Sequence, residues 1–335
     1  MSQAPLIDIS GLRVTFHGDR GRVTHAVDQV DLSVALGATL GIVGESGCGK
    51  SVTALALMRL LPDNAEVHGA VTFNGRDLLT LADGDMRDLR GDRMTMVFQE
   101  PMTSLNPSLT VGDQIAEVLI RHRGLTPQQA RGKTIELLAR VKIPSPEKRF
   151  DEYPHNLSGG MRQRAMIAIA LACDPQLLIA DEPTTALDVT IQEQILDLLR
   201  ELRAQSGAWI ILISHDLGVI GEICDEVAVM YAGEIVERAP AAALFEQPEH
   251  PYTVGLLGSI PRLDRQSDEL ATIGGMVPEM AELPAGCRFA PRCPFADERC
   301  RTTRPPIVQL DGGRWSRCFY APLEKNAAKN PAWQR

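Results

Sequence analysis

Residues 44–51 read GESGCGKS, set between the apolar run TLGIV (39–43) and the helix-patterned KSVTALALMRLL (50–61). A strand, a glycine-rich turn and a helix start in that order make a cradle for phosphate. Glycine lets the backbone turn its N–H groups inward, and the helix start adds partial positive charge. Gly44, Glu45, Ser46, Gly47, Cys48, Gly49, Lys50, Ser51 and Val52 are therefore the candidate contacts to a nucleoside triphosphate. In that role Lys50 reaches the β- and γ-phosphates and the Ser51 hydroxyl ligates Mg²⁺. The plain alternative is a chance glycine-rich turn; the strand before it and the Lys-Ser pair within it argue against that.

A matching acid is present. QLLIAD (176–181) is a continuous apolar strand ending in carboxylate. Asp181 is the candidate to hold Mg²⁺ through water. Alternation along a strand turns Glu182 away from Asp181, so the two take different roles. Glu182 is the general-base candidate for the attacking water. Its plain alternative is a capping acid at a strand–helix turn. Together these parts predict a nucleotide triphosphatase without saying what hydrolysis drives.

The first 240 or so residues alternate strand-like and helix-like patterns, as in an α/β domain with a largely parallel sheet. MTMVF (94–98) and WIILIS (209–214) are further buried-strand candidates, and 111–141 is helix-rich with Pro127 at a second helix start. In TIQEQILDLLRELRAQSG, Ile191, Ile195, Leu198, Leu199 and Leu202 share one helix face, Gly207 suits its end, and Thr190 with Glu193 fits a capping box. EVAVMYAGEIVERA (226–239) reads as a hairpin turning at Ala-Gly. After about residue 245 prolines multiply and periodicity fades, which predicts a boundary near 250 and a small irregular extension.

Net charge is −9, against a nucleic-acid binder. From Gly286 onward ten Lys/Arg face four Asp/Glu, a balance of +6, so the preceding part carries −15. The start lacks a basic segment followed by an apolar one, and no apolar run approaches a membrane span. The expectation is a cytoplasmic protein.

LSGGMRQR (157–164), lying between the phosphate loop and LLIADEP, resembles the signature of ATP-binding-cassette (ABC) ATPases. The resemblance covers about residues 6 to 240. It implies an α/β fold with a RecA-like core, an antiparallel β subdomain and a helical subdomain at about 100–172. It also implies head-to-tail pairing, in which Ser158, Gly159 and Gly160 of one domain bind the γ-phosphate held by the other. By the same resemblance Gln99 is the Q-loop residue that senses Mg²⁺ and the transport partner, and Asp188 lies in the D-loop. His215 is the switch histidine at the γ-phosphate, and Phe16 stacks on adenine. The bland alternatives are a structural histidine and a core phenylalanine. Met161 departs from the glutamine common after the signature glycines and leaves the phosphate contacts intact.

QEPMTSLNP (99–107), residues 157–190 and HPYTVGLLGSIP (250–261) are similar to the ATPase subunits of oligopeptide and dipeptide importers. This likeness implies a peripheral subunit on the cytoplasmic face of the inner membrane. It would pair with a second homologous ATPase beneath two membrane permeases, served indirectly by an extracytoplasmic solute-binding protein. Relatives that move nickel, glutathione or other solutes keep the substrate open. DNA-repair heads of the same class need a long coiled coil between loop and signature; the intervening hundred or so residues carry no heptads. Ribosome-associated factors carry two such domains, and a free-standing ATPase is the remaining alternative. The expected division is 1–250 for the nucleotide-binding domain, 251–325 for the extension and 326–335 for a disordered tail.

Cys287, Cys293, Cys300 and Cys318 crowd that extension with spacing C-x5-C-x6-C-x17-C. A cytoplasmic setting disfavours disulfides, and zinc sites usually use closer pairs. A cubane cluster accepts varied spacing. The likeness to peptide importers implies a [4Fe–4S] cluster here, with zinc or unligated thiols as the alternatives.

Overall fold

The structure is a computed structural model, described for residues 5–18, 21–34, 37–184, 188–259 and 273–326. All of the expected tail except Asn326 lies outside the described residues. The chain opens with β1 (Ile7–His17), β2 (Val23–Val34), β3 (Thr39–Val43), α1 (Lys50–Leu57), β4 (Ala65–Phe73) and β5 (Arg76–Asp77). Next come α2 (Asp83–Leu89), β6 (Met94–Val97), α3 (Pro101–Ser104), α4 (Val111–Arg123), α5 (Pro127–Arg140), α6 (Pro146–Phe150), α7 (Gly159–Leu171), β7 (Leu177–Asp181), α8 (Val189–Ser206) and β8 (Trp209–Ile213). The rest holds α9 (Leu217–Ile223), β9 (Glu226–Tyr231), β10 (Glu234–Pro240), α10 (Ala241–Glu246), α11 (Pro251–Gly258), α12 (Glu298–Thr302), β11 (Val308–Gln309), β12 (Trp315–Ser316) and α13 (Leu323–Asn326).

Two compact units result: residues 1–79 with 214–335, and residues 80–213. The first unit contains an antiparallel sheet ordered β2-β1-β4-β5. It also contains the run β11-β12-β10-β9-β3, antiparallel except for the parallel pair β9–β3. TLGIV forms β3 over the five residues expected, all buried, because a parallel strand covered on both faces must be apolar throughout. The hairpin forms at Ala232-Gly233, with φ 46° and 86°. Two consecutive left-handed residues match the twist of a two-residue turn.

In the second unit β6, β7 and β8 run parallel. Leu177, Leu178, Ile179 and Ala180 are each 0% exposed, so β7 is the centre of that core. Burying a side chain of leucine size contributes about 1.5–3 kcal/mol. Helix α7 is buried on most of its circumference through Ala165, Met166, Ile167, Ala168, Ala170 and Leu171, which small residues make sterically possible. Pro127 opens α5 as expected, behind a Thr126–Gln129 capping box. Helix α8 buries Ile195, Leu198, Leu199 and Leu202 and ends at Gly207 in the left-handed region. Its start differs from expectation. Asp188, not Thr190, is the N-cap, accepting the Ile191 N–H at 2.9 Å. A carboxylate caps at least as well as threonine and complements the helix dipole, so the helix begins earlier.

The start of α11 rests on two buried titratable groups. Glu237 accepts the N–H groups of Glu249 (2.6 Å) and His250 (3.0 Å). His250 caps the helix by accepting the Tyr252 N–H on Nδ1 at 3.1 Å. Burial pushes Glu237 up to about 7 and His250 down to about 3. Protonating Nδ1 would set N–H against N–H. The neutral-histidine contribution is complete above the unfolded pKa of 6.5 and is lost as pH falls toward 3. Glu237 acts oppositely, favouring the fold as pH falls from about 7 toward 4.5. His250→Asn keeps a cap acceptor but removes the titration. Relative to the wild type, its stability should improve by about 1.4 kcal/mol per pH unit below 6.5. Urea unfolding at pH 7.5 and 5.5 measures this, and a pH-independent difference would contradict it.

Candidate functional site

In the first unit the chain leaves β3 directly into the phosphate loop. Gly44, Gly47 and Gly49 take φ of 153°, 77° and 107°. At Gly44 a Cβ would lie 2.1 Å from the Met230 carbonyl oxygen, and at Gly49 2.6 Å from that of Ala26. Side chains are excluded at both positions by backbone, not only by conformation. Lys50 is 5% exposed and donates through Nζ to the carbonyls of Gly44 (2.8 Å) and Glu45 (3.1 Å). That holds its ammonium against the concave side of the loop. Ser46 and Gly47 are exposed, Ser51 and Val52 half-buried. Burial raises the Cys48 thiol, with Lys50 opposing, so Cys48 is a neutral filler of the loop. Phe16 is half-buried in β1, opposite Thr24 and Ala65. His215 is exposed, just beyond the end of β8.

Two residues that sequence reading left without a role also meet the loop. The Tyr252 hydroxyl accepts the Glu45 N–H at 2.8 Å. Arg292 Nη1 donates to both carboxylate oxygens of Glu45, each at 3.0 Å, and to the Tyr231 hydroxyl at 3.4 Å. Tyr231, Tyr252 and Phe289 pack around them in tilted and edge-to-face contacts with ring centroids 4.6–5.4 Å apart. HPYT at 250–253 was visible as a string, but no local pattern ties it to residue 45.

In the second unit, Asp181 is 4% exposed at the end of β7. Glu182 lies past the strand in the left-handed region, φ 48°. Its direction therefore comes from a turn, not from strand alternation, which corrects the reason expected for its divergence from Asp181. A non-glycine residue there is uncommon and costs of order 1–3 kcal/mol, a price met at functional positions. The Glu182 N–H donates to Ile213 at 2.9 Å, holding the turn. Gln99, two residues beyond β6, donates through Nε2 to Glu182 Oε2 at 3.0 Å. Those two predicted residues are brought together.

So are the signature and Asp188. A cavity of about 510 Å³ is lined by Ser158, Gly159, Gly160, Met161, Asp188 and Ile191, with Pro144 and Arg164. Ser158 is the N-cap of α7, accepting the Met161 N–H at 3.3 Å, and Asp188 is the N-cap of α8. Two helix starts thus open on one cavity, and N-termini favour anions.

The four C-terminal cysteines are free thiols. Burial pushes Cys287 up to about 11 and Cys293 and Cys318 up to about 12, and raises Cys300. The other three add to the rise at Cys318, so the sulfurs share one neighbourhood. Among the described residues no three His, Cys, Asp or Glu side chains converge tightly enough to hold a metal ion.

Residues 27–185 match the ABC transporter family, and residues 236–300 match the C-terminal region of oligopeptide/dipeptide transporters. A peptide import ATP-binding protein of Brucella abortus (strain 2308) is 54% identical over 319 residues, spanning 95% of this chain and 96% of its own. The oligopeptide transport ATP-binding protein OppD of Salmonella typhimurium is 50% identical over 329 residues, 97% of each chain. Among solved structures, a dimeric ATP-binding cassette in a post-hydrolysis state, bound to ADP and Pi, aligns with a TM-score of 0.63 at 27% identity. That alignment covers 70% of this chain and 98% of the other.

Proposed function

Because the chain belongs to the ATP-binding subunits of ABC transporters, in their oligopeptide/dipeptide branch, we propose that it powers import of di- or oligopeptides by pairing with a second, homologous ATPase. It is an ABC-type ATPase with the α/β cassette fold. The observation that carries the pairing is the cavity shared by Ser158, Gly159, Gly160 and Asp188. Two helix N-termini open on it, yet none of its lining residues comes from the phosphate loop. It is suited to a γ-phosphate held by the partner's loop. The dimeric state of the solved cassette supports this.

In this mechanism Gly44–Val52 cradle the triphosphate, with Lys50 on its terminal phosphates. Phe16 stacks on the adenine. Ser51, Gln99 and Asp181 would hold Mg²⁺, and their oxygen donors suit that hard cation. When bound, the ion neutralises phosphate charge. Glu182 accepts the proton of the attacking water, oriented by Gln99 through the 3.0 Å hydrogen bond. His215 meets the γ-phosphate. Closure of the paired subunits on ATP and their release after hydrolysis make a switch that drives the permeases.

The subunit sits on the cytoplasmic face of the inner membrane beneath two permeases, with the solute-binding protein acting from the other side. No helix among the described residues is long and apolar enough to cross a membrane, in keeping with peripheral association. Functionally, 1–250 is the nucleotide-binding domain, with its helical subdomain at about 100–172. Residues 251–325 are the extension, in which Cys287, Cys293, Cys300 and Cys318 would hold a [4Fe–4S] cluster. Four thiols, Cys300 and Cys318 buried and Cys287 and Cys293 half-buried, with the other three in electrostatic reach of Cys318, support that donor set. Zinc is the alternative occupant of the same four sulfurs. A bound cluster would supply the charge that draws these raised thiols into thiolates.

Anaerobic purification of the tagged chain from membranes tests both parts. The expected result is co-recovery of two permeases and a second ATPase in brown, iron-containing protein. Permeases of a different solute class would reassign the cargo, recovery alone would reject the transport role, and colourless iron-free protein would remove the cluster.

A further inference from the structure

The segment between the first two cysteines of the cluster region, Cys287 to Cys293, carries two arginines, one bonded to the phosphate loop itself and the other to the Ala232-Gly233 turn that bonds the loop. Arg292 is 5% exposed in its side chain and 247 residues from its partner, yet Nη1 spans the Glu45 carboxylate at 3.0 Å to each oxygen. Its Nε and Nη2 are spent on the carbonyls of Gly274 (2.9 Å) and Ile273 (3.3 Å). The guanidinium is thus fixed in place, not swinging at a surface. On the other side Arg288, equally buried, bonds the Ala232 carbonyl and Asp28. The next residue, Gly233, donates its N–H to the Cys48 carbonyl at 2.9 Å. Tyr252 completes the frame from α11 by accepting the Glu45 N–H.

Glu45 is the one carboxylate within the loop. Left alone, an anion at that place repels a triphosphate. A fixed cation beside it cancels the repulsion, and removing one partner of such a pair leaves the other uncompensated. We infer that Arg292 is a positioning residue that sets nucleotide affinity by neutralising and anchoring Glu45, so that the C-terminal extension controls the phosphate loop of its own chain. The inference rests on the ATPase reading.

The test uses the full-length chain and four proteins: wild type, R292M, E45Q and the double variant E45Q/R292M. MgATP, ADP and AMP affinities are measured by calorimetry, alongside Tm. R292M should weaken MgATP by about tenfold, the scale of a typical coupling between sites, with smaller losses for ADP and AMP. The double variant should return to within about twofold of wild type, because no carboxylate then needs cancelling. E45Q alone should bind MgATP at least as tightly as wild type, and this arm stands if R292M does not fold. Equal losses for all three nucleotides, no rescue in the double variant, or weaker MgATP binding by E45Q would each overturn the inference. A wild-type chain that binds no nucleotide would instead overturn the ATPase reading beneath it.

Discussion

Glu182→Gln should abolish nearly all ATP hydrolysis while MgATP binding survives. Glutamine has the same shape and can still accept from Gln99 Nε2, the contact held at 3.0 Å in the wild type. The left-handed turn at φ 48° is a backbone property and is shared by both residues. What disappears is the ability to take a proton, and loss of a positioned general base costs about 10²–10⁴-fold in rate. Phosphate release measured beside nucleotide binding separates the two properties. The trapped, ATP-bound form should also accumulate as a complex with the second subunit. Turnover within a few-fold of wild type would mean that another group activates the water.

Ser158→Asp should stop ATP-driven pairing without weakening the chain's own nucleotide binding. The substitution separates two duties that alanine would confound. As N-cap of α7, Ser158 accepts the Met161 N–H at 3.3 Å, and removing such a cap costs about 1 kcal/mol. Aspartate caps as well as serine, so Tm should stay within a few degrees. Its charge, however, points into the cavity lined by Gly159, Gly160 and Asp188. There it would face the γ-phosphate of the partner's nucleotide, and like charges brought into contact cost several kcal/mol. Size-exclusion chromatography of the subunit pair with MgATP reads the association, and calorimetry reads the chain's own site. Normal pairing by S158D would remove the signature from the interface; lost binding at the chain's own site would assign it there.

Much of the architecture was legible because it is local. TLGIV, the Ala232-Gly233 turn, Pro127 at the start of α5 and the buried face of α8 each follow from neighbours within one or two turns of chain. Where local rules competed, the sequence was ambiguous. Asp188 took the cap of α8 that Thr190 and Glu193 also fitted, since each residue can satisfy an N–H three residues on, Ile191 from Asp188 or Glu193 from Thr190. Glu182 looked like a strand residue because nothing in LLIADEP marks where the pleat gives way to a left-handed turn. The cysteines were conspicuous as a spacing, but their shared neighbourhood was not.

From residue order alone came the phosphate loop, the acid pair at the end of β7, the signature and the family. Each of these is a short string whose chemistry depends on its own backbone geometry. Only the tertiary structure decided that Arg292 and Tyr252 hold Glu45, across 247 and 207 residues, and that Ser158 and Asp188 share one cavity. Contacts of that range leave no periodic trace, because they are made when separate elements bury their apolar faces together and bring unlike charges into a place that water has left.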